Sequence, residues 1–165
     1  MKKNLVIGLI FACLVILLEQ VSDVLLATEI SRYDLITLGS LTFDKSEGIH
    51  SLISFVIKDT TSVIYLVVFA LICALVLSLA ILFTAKRKNV LAIGLFVVFG
   101  GLGCNLIDMI VNESHEVISY IYYTLPSGDL LWINIAQVFM VLGLIVAIVG
   151  LFIKAKKTNK VIVNA

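Results

Sequence analysis

The chain has 165 residues, of which 61% are hydrophobic, with a mean hydropathy of +1.16 and a formal net charge of +1. Soluble domains hold roughly 45–50% apolar residues, so a water-soluble globule is excluded and an integral membrane protein is expected. Most of the basic residues form three acid-free clusters, at Lys2-Lys3, at Lys86-Arg87-Lys88 and at Lys154, Lys156, Lys157 and Lys160. These clusters flank apolar runs, so they are topology signals and no nucleic-acid role is implied.

Four windows reach the roughly 20 apolar residues that a transmembrane helix needs, at about 5–26, 62–85, 90–111 and 130–153. The first follows Lys2-Lys3 like a signal peptide. Its apolar run is too long for one, however, and no Ala-x-Ala site follows, so it is read as a retained helix. By the positive-inside rule the N-terminus, the Lys86-Arg87-Lys88 turn and the lysine-rich tail are cytoplasmic. Residues 27–61 and 112–129 then lie outside. Leu35-Ile36-Thr37-Leu38 is strand-like, and Leu52-Ile53-Ser54-Phe55-Val56-Ile57 is apolar enough to lie on the bilayer as a surface helix. The fold class expected is an all-α membrane protein. It comprises one domain over residues 1–165, a four-transmembrane-helix bundle with both termini cytoplasmic, carrying a small β-like cradle and a surface helix outside.

Tyr120, Tyr122, Tyr123 and Trp132 suit an interfacial belt. Gly100 with Cys104, and Gly143 with Ala147, are small pairs spaced for close helix packing. Cys13, Cys73 and Cys104 all fall within apolar runs, where they act as small hydrophobes and form no disulfide.

Polar groups within apolar spans are costly and mark functional sites. At about 1.5 Å per residue, Glu19 and Asp23 of the first span, Asn105 and Asp108 of the third, and Asn134 and Gln137 of the fourth fall at one depth, in the outer leaflet. Spacings of three and four residues put each pair on one helix face. Three spans therefore present polar faces at one level.

Three fragments in chain order resemble the lipoprotein signal peptidase (signal peptidase II) family. Glu19-Gln20-Val21-Ser22-Asp23 is similar to its Asp-Gln-x-Ser/Thr-Lys. Gly100-Gly101-Leu102-Gly103-Cys104-Asn105-Leu106-Ile107-Asp108-Met109 is similar to Gly-Gly-x-x-Gly-Asn-x-x-Asp-Arg, and Ile133-Asn134-Ile135-Ala136-Gln137 to Phe-Asn-x-Ala-Asp. Ser46-Glu47-Gly48-Ile49-His50-Ser51 resembles the outer Asn-x-Gly-x-Ala-Phe pattern. The resemblance covers essentially the whole chain. It implies a multi-pass protein of a bacterial cell membrane, contacting membrane lipid and acting on diacylglyceryl-modified lipoprotein signal peptides by aspartic peptidase chemistry.

The departures bear on that chemistry. Against the family, the two catalytic aspartates align with Ser119 and Gln137, the lysine of the first motif is Asp23, and the arginine of the second is Met109. General acid–base catalysis needs a titratable group within reach of the transferred proton. Gln137 exchanges none at accessible pH, so the expectation leans away from an enzyme. A catalytically degenerate relative would use Glu19, Gln20, Asp23, Gly48, Asn105, Asp108 and Asn134 as its binding and supporting residues. Its ligand would be a lipoprotein signal segment or a peptide antibiotic. A divergent aspartic-type endopeptidase working through Asp108, Glu116 or Glu19 is the enzyme alternative. A small carrier or channel subunit is disfavoured, because carriers place polar groups at mid-membrane. No cofactor is expected, and no metal: His50 and His115 lie in solvated loops beside acids but form no ligand pattern.

Overall fold

The computed structural model describes residues 2–33, 36–38, 41–47, 62–111, 117–126, 128 and 130–153. Four helices carry the chain, α1 (Lys2–Tyr33), α2 (Ser62–Ala85), α3 (Asn89–Val111) and α4 (Ile135–Phe152). Each is long and apolar enough to cross a bilayer. With 32 residues, α1 is about 48 Å long at 1.5 Å per residue, more than the ~30 Å hydrocarbon core, so its last turns run past the membrane. The expected spans at 62–85 and 90–111 match α2 and α3 closely.

Helix α3 is the axle of the bundle, packing against α1, α2 and α4. Half of its spanning window is buried (50%), against 17–22% for the other three. Close approach is made possible by small residues. A side-chain carbon added at Gly94 would lie 2.6 Å from the Gly143 carbonyl oxygen and 2.8 Å from Ala147 Cα, both backbone atoms of α4. Only glycine fits there, and the resulting backbone contact supplies the dispersion that holds helices together in lipid, where no hydrophobic drive exists. The expected small pairs do serve contacts, one on each side: Gly100 meets Ala12 and Val15 of α1, and Gly143 meets Gly94 and Val98. A second apolar cluster, of Phe69, Cys73, Leu102, Met109 and Val117, joins α2 to α3. Large exposed side chains such as Leu14, Leu17, Val24, Leu142 and Ile145 face outward, as lipid requires. Cys13 also faces outward, unlike buried Cys73 and Cys104, so it fills no helix contact.

A four-stranded antiparallel sheet caps one end of the bundle, in the order β1 (Ile36–Leu38), β2 (Leu41–Glu47), β3 (Ile118–Thr124) and β4 (Leu130–Ile133). Two strands come from the α1–α2 connection and two from the α3–α4 connection, so the cradle is a joint product of both. The strand-like stretch read in the sequence is β1. Pairing slips between Phe43 and Ser46, where β2 bends. One boundary needs correction: residues 130–133, counted as the start of the fourth span, form β4, and the helix begins at Ile135. Hydropathy does not separate a short apolar strand from a buried helix turn. The surface helix expected at 52–57 lies outside the described residues, as do Gly48, His50, His115, Glu116 and the lysine-rich tail.

Candidate functional site

The polar residues meet where the sheet joins the helices. Asn134 links β4 to α4 in an extended conformation (φ −110°, ψ 160°), and its Oδ1 accepts a hydrogen bond from the Gln137 backbone N–H at 2.8 Å. It is therefore the N-cap of α4, satisfying a donor that the first helical turn leaves orphaned. Its Nδ2 donates to Asn105 Oδ1 at 2.8 Å, binding α4 to α3. Both side chains are buried, at 2% and 0% exposure, so the pair is a fixed strut. The spacing in the sequence suggested one helix face carrying Asn134 and Gln137. Instead Asn134 precedes the helix, and its partnership with Gln137 is that of cap to capped residue.

The acids converge on the other side of α3. Glu19 and Asp23 from α1 and Asp108 from α3 bring carboxylate oxygens within 4.8 Å of one another. Glu19 is fully buried and Asp108 nearly so, at 0% and 7% exposure. Gln20 bridges the two helices, donating its Nε2 to Glu19 Oε2 at 2.9 Å and, more loosely, to Asp108 Oδ1 at 3.4 Å. Cys104, between them on α3, directs its thiol to the Gly100 carbonyl at 3.1 Å. Thus Glu19, Gln20, Asp23 and Asp108 form one group, and Asn105 with Asn134 a second, joined through adjacent Cys104 and Asn105. The depth estimate from helical rise anticipated this meeting.

Ser119 lies on β3, fully buried, with an Oγ that makes no hydrogen bond. Ile121 pairs with Ile133, so continuing that register by two residues puts Ser119 level with Ile135, the first residue of α4. Of the two positions aligned with family aspartates, Gln137 is in the first turn of α4, and Ser119 is on β3, two residues beyond the last β3–β4 pair. Met109 is wholly buried in the α2–α3 cluster with Phe69 and Val117, an apolar setting for the position where an arginine was compared. Sequence reasoning missed the capping role of Asn134. The extended, apolar Leu130–Ile133 run just before an Asn was the signal that could have revealed it.

Among the described residues, the site has carboxylates on α1 and α3, and amide and hydroxyl groups without a carboxylate beside α4. Acid–base exchange is available in the first group and absent from the second.

Comparison with known proteins agrees with this geometry. Two solved structures, each described as a bacterial membrane enzyme determined by the in meso method, at 1.9 and 2.3 Å resolution, superpose with TM-scores of 0.66 and 0.66. Both are 20% identical to this chain, covering 88% and 92% of it and 92% and 93% of their own lengths. That likeness establishes the fold. No individually curated protein sequence matches. The family model described as "Signal peptidase (SPase) II" matches residues 11–153, so this multi-pass membrane protein belongs to the signal peptidase II family.

Proposed function

We propose that this chain binds the signal segment of diacylglyceryl-modified lipoproteins at the outer leaflet without cleaving it. Membership of the family supports the ligand class. The observation that carries the loss of hydrolysis is the make-up of the groups beside α4. Ser119 is buried with no hydrogen-bond partner, and position 137 carries an amide. Two carboxylates sharing a proton activate water because one accepts it while the other donates, and a serine–glutamine pair does neither. The Asn105–Asn134 strut ties α3 to α4 without taking part in proton transfer. The basic residues at Lys2-Lys3 and Lys86-Arg87-Lys88, at the opposite end of the bundle, and the lysine-rich tail in the sequence support an orientation with the sheet outside and both termini in the cytoplasm. A lipoprotein-directed peptide antibiotic has the same amphipathic, groove-filling character and is the other ligand of this class.

The experiment uses purified protein in detergent with a fluorescent diacylglyceryl-modified prolipoprotein. The expected result is saturable binding with no cleavage, and cleavage appearing in the double variant Ser119→Asp/Gln137→Asp. Cleavage by the unaltered chain would refute the proposal.

A divergent peptidase is the alternative, favoured by one observation: Glu19, Asp23 and Asp108 place three carboxylates in one group. It requires that cleavage be present in the unaltered chain and disappear in both Glu19→Gln and Asp108→Asn.

A further inference from the structure

The end of the bundle away from the sheet carries basic residues with no acid near them in the sequence. Lys86-Arg87-Lys88 is the whole connection between the spanning helices α2 and α3, so it stands at the headgroup level of a bilayer. Asn4 of α1 donates its Nδ2 to Asn89 Oδ1 at 2.9 Å, which brings the start of α1, with Lys2 and Lys3, against the start of α3. Five basic residues therefore share one end. No Asp or Glu occurs between Met1 and Glu19, between Asp59 and Asp108, or after Asp129. Glu19 stands about 24 Å along α1 from Lys3, well beyond the ~8 Å over which charges act in physiological salt.

The turn itself has a defined geometry. The Arg87 N–H donates to the Thr84 carbonyl at 3.1 Å and the Lys88 N–H to the Phe83 carbonyl at 3.0 Å, the pairing of a Schellman cap at the end of α2. Glycine usually holds the left-handed position of that motif, but here Arg87 does, at φ 59°. An apolar contact usually closes the motif across the positions of Lys88 and Phe83. Instead the Lys88 ammonium stands over the Phe83 ring, 5.8 Å from its centre, and the Lys86 ammonium lies 6.0 Å from the same ring. Two like charges are thus gathered on one aromatic ring at the bilayer edge. A third basic residue occupies a backbone conformation that its side chain disfavours. The anion that a bilayer supplies at this depth is the lipid phosphate.

We propose that the α2–α3 turn binds the headgroup of an anionic phospholipid. The phosphodiester oxygens accept from the ammoniums of Lys86 and Lys88, and Arg87 and Lys3 add positive charge beside them. A zwitterionic headgroup brings its own ammonium and gains less, so the site selects lipids of net negative charge. Each cation near the surface strengthens that attraction about fivefold. From the sequence alone these residues were topology signals, because neither the shared ring nor the left-handed Arg87 is visible in a charge pattern. The site lies at the far end of the bundle from the acids and the Asn105–Asn134 strut. It holds whether or not the chain binds a lipoprotein.

The test titrates the full chain in detergent with phosphatidylglycerol or phosphatidylcholine and follows the adducts by native mass spectrometry. One saturable phosphatidylglycerol adduct should form, about tenfold or more tightly than any with phosphatidylcholine. Lys86→Gln/Lys88→Gln should weaken it about 25-fold. Lys156→Gln/Lys157→Gln, which removes the same charge from the tail, should change it less than about twofold. Because the first variant also removes a topology signal, Phe83→Leu serves as a second arm. It keeps every charge and releases only the two ammoniums, so it should weaken the adduct about two- to fivefold. Equal losses from the turn and tail pairs would overturn the proposal in favour of diffuse attraction. Equal binding of the two lipids, or parental binding in Phe83→Leu, would overturn it as well. Displacement of the lipid by inorganic phosphate would make the site one for the free anion, and the lipid proposal would fall.

Discussion

The α3–α4 contact lends itself to a paired substitution, Gly94→Ala against Gly103→Ala. Both residues are on α3, both changes add one methyl group, and both gain the same helix propensity, about 1 kcal/mol over glycine. Their surroundings differ. At position 94 the new carbon would stand 2.6 Å from the Gly143 carbonyl oxygen and nearer still to Ala147 N, where ordinary contact begins near 3.4 Å, so α4 must retreat by at least about 0.8 Å. The obstructing atoms are backbone and have no rotamer to change. At position 103 the nearest atom is the tip of Ile16, already at 3.4 Å, and the methyl fits. Overpacking against an unyielding neighbour costs about 1–3 kcal/mol. Retreat of α4 also strains the Asn105–Asn134 strut that ties the same two helices. Gly94→Ala should therefore be about 1–3 kcal/mol less stable than Gly103→Ala, roughly 5- to 150-fold in the folding equilibrium. Unfolding by sodium dodecyl sulfate in mixed micelles, followed by the fluorescence of the single tryptophan, Trp132, measures the difference. A Gly94→Ala protein as stable as Gly103→Ala would refute close α3–α4 packing through glycine.

Three further outcomes follow from the same structure. Asn134→Ala removes the cap of α4 and leaves the Asn105 carbonyl oxygen buried without its donor, so it should lose about 2–4 kcal/mol. Asn134→Ser, which keeps a capping oxygen, should recover part of this in the same unfolding assay. Met109→Ala opens a cavity between Phe69 and Val117 and should cost about 2–4 kcal/mol, whereas Leu142→Ala, on the lipid-facing side of α4, should cost well under 1 kcal/mol. In detergent, a maleimide should label Cys13 first; labelling of Cys73 and Cys104 should wait for denaturation, as intact-mass spectrometry after timed quenching would show. Equal rates for all three thiols would contradict the burial of the latter two.

Membrane insertion and the number of spans were legible in the sequence because they depend on length and hydropathy, local properties of a continuous run. The level at which Glu19, Asn105, Asp108 and Asn134 sit was legible too, because the rise per residue is the same in every helix. Membership of the family was readable from three short motifs spread over three spans, and the match over residues 11–153 bears it out. What remained hidden was rotation. A span that is apolar all round gives no sign of which side faces lipid and which faces protein, since hydrocarbon and protein interior are equally apolar. Only the packed structure, with α3 at the centre, turned Glu19 and Asp23 toward Asp108 and gathered three acids from two helices. Pairing was hidden for a similar reason. Leu130–Ile133 became a strand because β3 was there to accept its hydrogen bonds, and that in turn made Asn134 a cap rather than a helix residue. Local sequence set the depth of each polar group; non-local contacts decided which of them would meet.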